Sequence, residues 1–122
     1  MKAALLLLVI AATGCTRIPE PSVAVESEPK IHAGYYTEGF ETREFRPLSA
    51  AEERWWVEGS LPCAFLTFNQ ELNAPWHRVY VELEGSVSSL GQFGHMGAYQ
   101  RKLSVGRVVS CRPLREGETV EP

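Results

Sequence analysis

Arg78-Val79-Tyr80-Val81-Glu82-Leu83-Glu84-Gly85-Ser86-Val87 is the stretch from which the fold is read. Val79, Val81, Leu83 and Val87 fall on one face, and Tyr80, Glu82, Glu84 and Ser86 on the other. This is the period-two alternation of a strand with one side buried and one in water. Gly85 interrupts the apolar face and predicts a bend such as a barrel corner requires. Downstream, Ser88 to Gly97 holds three glycines and reads as a loop, followed by a last strand from about Tyr99 to Ser110 with Leu103, Val105 and Val109 apolar. Pro113 to Pro122 is polar and expected to fray. Upstream, Phe65, Phe68 and Leu72 recur at helical spacing, and Asn69 to Asn73 is poor strand sequence closed by Pro75. Residues 61–72 are therefore expected to be helix or irregular structure, with a strand over Ala64 to Phe68 as the alternative. Trp55 to Glu58 reads as a short strand stopped by Gly59, and Ser49 with Glu52 as a helix-start box over one turn. Gly34 to Arg46 is an aromatic-rich strand with a bulge or bend at Gly39, ended by Pro47. Short strands with glycine bends and at most one short helix make the chain mainly β, a small antiparallel barrel or sandwich.

The start of the chain decides the compartment. Lys2 precedes an apolar run from Ala3 to Ala12, followed by Thr13, Gly14 and Cys15. The run is well short of the roughly 20 residues that cross a bilayer permanently, so it reads as a secretory signal. Ala12-Thr13-Gly14-Cys15 resembles the lipobox of bacterial lipoproteins, in which the cysteine is acylated, although Ala12 stands where leucine is usual. Ordinary cleavage after Gly14 is the alternative. Thr16 is not the aspartate that retains many lipoproteins at the inner membrane, which by the same resemblance points to the outer membrane, facing the periplasm.

The division expected is residues 1–14 as signal, 15–32 as lipidated terminus and flexible tether, 33–114 as barrel domain and 115–122 as polar tail. Residues 16–30 carry three prolines and three glutamates without a large aromatic, which suits an extended, solvated spacer. Removing fourteen of the 122 residues leaves 108, enough for one domain. Losing Lys2 takes the net charge from −3 to −4, which argues against a nucleic-acid surface. With Cys15 consumed by lipid, Cys63 and Cys111 remain as a pair in an oxidising compartment. A bridge between them would close a loop worth roughly 4 kcal/mol in the chain-entropy model. Two free buried thiols are the other possibility.

In their order, Phe45-Arg46-Pro47, Trp55-Trp56-Val57, Val79 to Gly85 and Leu103-Ser104-Val105 resemble the OB-like β-barrel domain of envelope lipoproteins related to the C-terminal part of NlpE. The similarity spans about Gly34 to Cys111. It implies an OB-like barrel on an outer-membrane lipoprotein linked to envelope stress and copper handling. Leu48 stands where such domains often carry a cysteine, and the chain has no Cys-x-x-Cys, so the copper and redox parts of the comparison find no residues here.

Catalytic patterns are missing. Glu58-Gly59-Ser60 lacks the second glycine of a nucleophile elbow, and Glu82 and Glu84, two residues apart on one strand face, read as solvated charges. His32, His77, His95, Met96 and the thiols are ligand types for copper or zinc at spacings that define no site, and no cofactor is expected. In a strand, successive side chains point to opposite faces, so one of Trp55 and Trp56 is expected in the core and the other outside. Packing of both in the core is the alternative. Trp55, Trp56, His95 and Tyr99, with the Gly91 to Gly97 loop, are the candidate partner-binding residues. The expectation is a non-enzymatic binding or sensing module, held to the bilayer by acylated Cys15 and meeting an envelope protein. An envelope copper or zinc binder and an inhibitor of a cell-wall hydrolase are its rivals.

Overall fold

The computed structural model describes Gly14, residues 25–68 and residues 76–118. The signal run, Cys15 and most of the tether lie outside the described residues, as do 69–75 and 119–122. The elements are β1 (Lys30–Gly39), β2 (Thr42–Pro47), β3 (Trp55–Glu58), α1 (Ala64–Phe68), β4 (Trp76–Val87) and β5 (Arg101–Pro113), with 3-10 turns at Leu48–Ala50 and His95–Gly97. The strands close into one barrel in the order β1-β2-β3-β5-β4, the small OB-like β-barrel expected. It is not wholly antiparallel: β3 and β5 run parallel, Trp55 beside Arg101 and Val57 beside Leu103. Parallel neighbours need a long crossover, and the chain between them, including α1 and β4, provides it.

β4 carries the inward register. Val79, Val81 and Leu83 are fully buried, with Tyr36, Phe45, Val57 and Leu103 packed against them. Gly85 also faces inward, and a Cβ there would lie 2.5 Å from the Ser104 carbonyl oxygen, so the close approach of β5 admits only glycine. The pairing with β5 slips twice: Glu82 faces Ser110 but Leu83 faces Val108, and Glu84 faces Arg107 but Gly85 faces Val105. Gly106 and Val109 are thus the extra residues of two bulges. Each slip keeps the next apolar side chain inward, so Leu103, Val105, Val108 and Cys111 share the core face while the apolar Val109 is thrown outward. Cys111 so placed meets Cys63 just ahead of α1, and the two are joined with Cα atoms 6.0 Å apart, within the span a disulfide accepts.

Other expectations are corrected. Gly39 is not a bulge within one strand. It ends β1 and pairs with Thr42, and Phe40 and Glu41 make a two-residue hairpin turn in which Glu41 takes φ 53°. Ser49 caps nothing: the 3-10 turn follows Pro47 without a side-chain cap. β1 begins at Lys30, inside the expected tether, and pairs with β4 from Gly85 onward. Ahead of it the Ser27 amide donates to Val87 O (2.8 Å) and the Glu26 carboxylate accepts from the Lys102 ammonium (Oε1, 3.0 Å), so residues 25–27 run along the barrel instead of away from it. The tail is also tied down as far as Glu118, whose carboxylate receives two bonds from Arg112 (2.7 and 3.1 Å) and one from the Tyr35 hydroxyl (2.9 Å). Those donors, Arg112 first, hold its pKa down at about 2. No helix among the described residues is long and apolar enough to cross a membrane.

Candidate functional site

The outward face of the same strands carries charge. Register places Arg78 of β4 beside Thr37 of β1, Thr37 beside Glu44 of β2, and Glu44 beside Trp56 of β3. Thr37 and Glu44 are 6% and 5% exposed, as hidden as Trp55 at 6%, although they face away from the core. Two arginines bury the carboxylate: Arg54 Nε donates to Glu44, and Arg46 Nε lies 3.4 Å from its other oxygen. Arg78 Nε donates to the Thr37 hydroxyl (2.8 Å) and meets no carboxylate among the described residues. The hydrogen bond that Arg54 donates to Glu44 holds the Arg54 pKa above its ordinary value. Burial lowers that of Arg78, and the charge of Arg46 adds to the effect against that of Glu44. Arginine stays protonated through any such shift. These groups, with Thr42 and the half-exposed Trp76, line a cleft of about 280 Å³.

One wall of the cleft is backed by the loop of residues 88–100, which crosses the outer face of β3. The Gln100 amide donates to Arg54 O (3.0 Å), and the Gln100 side chain accepts from the Arg54 amide (2.9 Å). Tyr99, 4% exposed, stands edge-on to Trp56 at 5.2 Å, and the Arg54 guanidinium lies 4.9 Å from the Tyr99 ring centre. Gly94 passes over Trp56 with φ 69°, where a Cβ would sit 2.4 Å from the indole. Beyond it, His95 Nε2 reaches Glu41 at 3.2 Å, linking the loop to the β1–β2 turn. Phe40 and Met96 are left 87% and 90% exposed.

Trp56, His95 and Tyr99 of the expected partner-binding set therefore lie on one face, but Trp55 does not. Its side chain enters the core against Phe45 and His32 and donates Nε1 to Glu53 (2.7 Å), because alternation along β3 sends the two indoles opposite ways. Trp56 is itself partly covered and Tyr99 is buried, so the open positions of this face are His95, Met96, Phe40 and the cleft. Glu82 and Glu84 sit outside as surface charges, bonded to Tyr80 and Arg107.

The metal-type ligands do not converge. Cys63 and Cys111 are bonded to each other, and among the described residues no three His, Cys, Asp or Glu side chains are grouped to hold an ion. His32 faces Leu83 across the sheet and His77 faces Glu38, six residues further along β1. Burial lowers the His32 pKa, which favours the neutral ring.

Sequence reasoning passed over Glu44 and its arginines. The available signal was the polar parity Thr42-x-Glu44-x-Arg46, opposite to Phe45, and the matching place of Arg78 before Val79. Nothing in that pattern marks Glu44 as buried, since its cover comes from Arg46 on the same strand together with Arg54 from a separate segment. Comparison with protein-family models, curated proteins and solved structures found no match.

Proposed function

We propose that the chain is an envelope lipoprotein, held by acylated Cys15 at the outer membrane and facing the periplasm, whose barrel is a non-enzymatic binding or sensing module. The observation that carries the binding reading is the cleft: a buried carboxylate orients two arginines, and a third stands beside them without an anionic partner among the described residues. Small barrels of this kind use the outer face of strands 2 and 3 with the adjoining loops to take oligomeric ligands. Here the 88–100 loop covers Trp56 of β3, and the cleft runs from the outer face of β2 across β1 to Arg78 of β4. The anchor rests on Lys2, the apolar run and Cys15. Residues 25–27 join the barrel beside Val87, whereas Trp76 of the cleft pairs with Gly39 at the other end of β1, about 30 Å away at strand rise. Trp76 and Arg78 of the cleft thus lie at the end of β4 remote from residues 25–27, whereas the 88–100 loop begins beside those residues, with the Ser89 amide donating to Val25 O (3.0 Å).

A photo-crosslinking amino acid placed in the full chain at Phe40, Met96 or, as control, Val109 tests this in living cells. Adducts at Phe40 and Met96 and none at Val109 are the expected result. Adducts only at Val109, or none anywhere, contradict it. In the same cells Cys15→Ser is expected to move the protein from the membrane to the soluble fraction.

A further inference from the structure

We infer that the cleft takes a sugar bearing a carboxylate or phosphate, with the anion on Arg78 between Arg46 and Arg54 and the sugar ring against Trp76. This rests on the binding reading above and names the ligand class for the same face.

The charge count is the first argument. Among the described residues the Arg78 guanidinium meets no carboxylate, which leaves its positive charge uncompensated in a partly desolvated recess beside the Arg46–Glu44–Arg54 cluster. Arg78 spends Nε on Thr37, which fixes its plane and leaves the terminal N–H groups for a bidentate acceptor. A carboxylate or phosphate matches that fork; a neutral hydroxyl would leave the excess charge uncompensated.

The second argument is the aromatic rim. Trp76 is 55% exposed, and its neighbour across the sheet is Gly39, which has no side chain to cover the indole. A flat apolar surface beside a charged recess suits a ring with C–H groups on its face and an anion at its edge. The cleft volume, about 280 Å³, falls just under the usual range for small-ligand pockets, so it suits one sugar residue of a larger glycan.

Charge also limits the length of the anion. Glu41 adjoins Thr42 of the lining and is half-exposed, so a polyanion running past the hairpin would meet a like charge. This favours one anionic group over a nucleic-acid strand. A lipid headgroup in the anchoring bilayer is disfavoured because the tether joins the opposite end of the barrel.

The test is a fluorine NMR titration of the full chain in detergent micelles with its three tryptophans replaced by 5-fluorotryptophan, each resonance assigned with a Trp→Phe variant. The probes are N-acetylmuramic acid, glucose 1-phosphate, neutral N-acetylglucosamine, phosphatidylglycerol vesicles and an oligothymidylate. The expected result is a saturable shift of the Trp76 signal with one or both anionic sugars, at least ten-fold tighter than with the neutral sugar. Which of the two shifts it tells carboxylate from phosphate. Arg78→Gln should weaken that binding at least ten-fold while the Trp55 and Trp56 signals keep their positions, which shows an intact fold. Equal binding of the neutral sugar, an unaffected Arg78→Gln variant, response only to vesicles or oligothymidylate, or no response at all would overturn the inference. A silent Trp76 with adducts still forming at Phe40 and Met96 would retire the sugar and keep the binding face; loss of both would retire both.

Discussion

Glu44 and Phe45 are consecutive residues of β2, 5% and 0% exposed, and they are buried for different reasons. Phe45 points into the barrel among Tyr36, Trp55 and Val57, where apolar contact alone accounts for its place. Glu44 points outward and is covered by Arg46 and Arg54. Burial inside the barrel stabilises the fold. Burial of an ion pair is close to neutral at best, because the desolvation cost offsets the attraction. The difference separates a face that holds the protein together from one whose polar groups are arranged for something else.

The contrast should be largest at Phe45 itself. Phe45→Ala is expected to cost about 3–5 kcal/mol, read as a lowered midpoint in urea denaturation. A loss below about 1 kcal/mol would mean the interior collapses easily and the inward face is not the stabilising one.

Glu44→Gln should cost less, about 2 kcal/mol, because it leaves two arginines without their shared anion while the exposed side of Arg54 can still be hydrated. The same change is expected to tighten anion binding, since it raises the excess positive charge of the cleft. Weaker binding would show that Glu44 is needed to orient the arginines.

Gly94→Ala sharpens the boundary of the site. The added methyl would press on Trp56 and demand a positive φ, so about 1 kcal/mol of stability should be lost. Tryptophan emission should shift to the red as the 88–100 loop lifts. An unshifted spectrum would place the loop elsewhere in solution.

The smallest effect belongs to the tail. Folding lowers the Glu118 pKa from an ordinary 4.5 to about 2, so the fold favours the ionised form. Its contribution is complete above about pH 4.5 and disappears as pH falls through about 2. Glu118→Gln should therefore lower Tm slightly at pH 7, with the gap to wild type closing over that interval. A gap independent of pH would assign the loss to packing.

The two faces also differ in how far they could be read from the sequence. β3, the alternation of β4 and the role of Gly85 follow from period and composition, because one strand supplies the whole signal. The inward face of β5 was not legible, because two bulges change its inward spacing from two to three, so Leu103, Val105, Val108 and Cys111 follow no single period. Lys30 and residues 25–27 looked like spacer because their partners, Gly85, Val87 and Lys102, are distant in the chain. That one of Trp55 and Trp56 faces outward was legible from the alternation, but not which one, and His95 was legible as a loop residue; the packing of Tyr99 on Trp56 depends on the loop path. Glu44, Arg46, Arg54 and Arg78 were not legible, since a charged residue on a polar parity reads as solvated until the sheet brings its partners together.

Replacement of the ion cluster by apolar side chains tests the separation of the two faces most directly. In the variant Glu44→Leu with Arg46→Met and Arg54→Met, the urea midpoint should equal or exceed that of wild type, as expected when a buried ion cluster gives way to packed hydrophobes. N-acetylmuramic acid or glucose 1-phosphate should then no longer move the Trp76 signal. A protein several kcal/mol less stable, or one that binds the anionic sugar as before, would show that these charges hold the barrel together and are not its binding site.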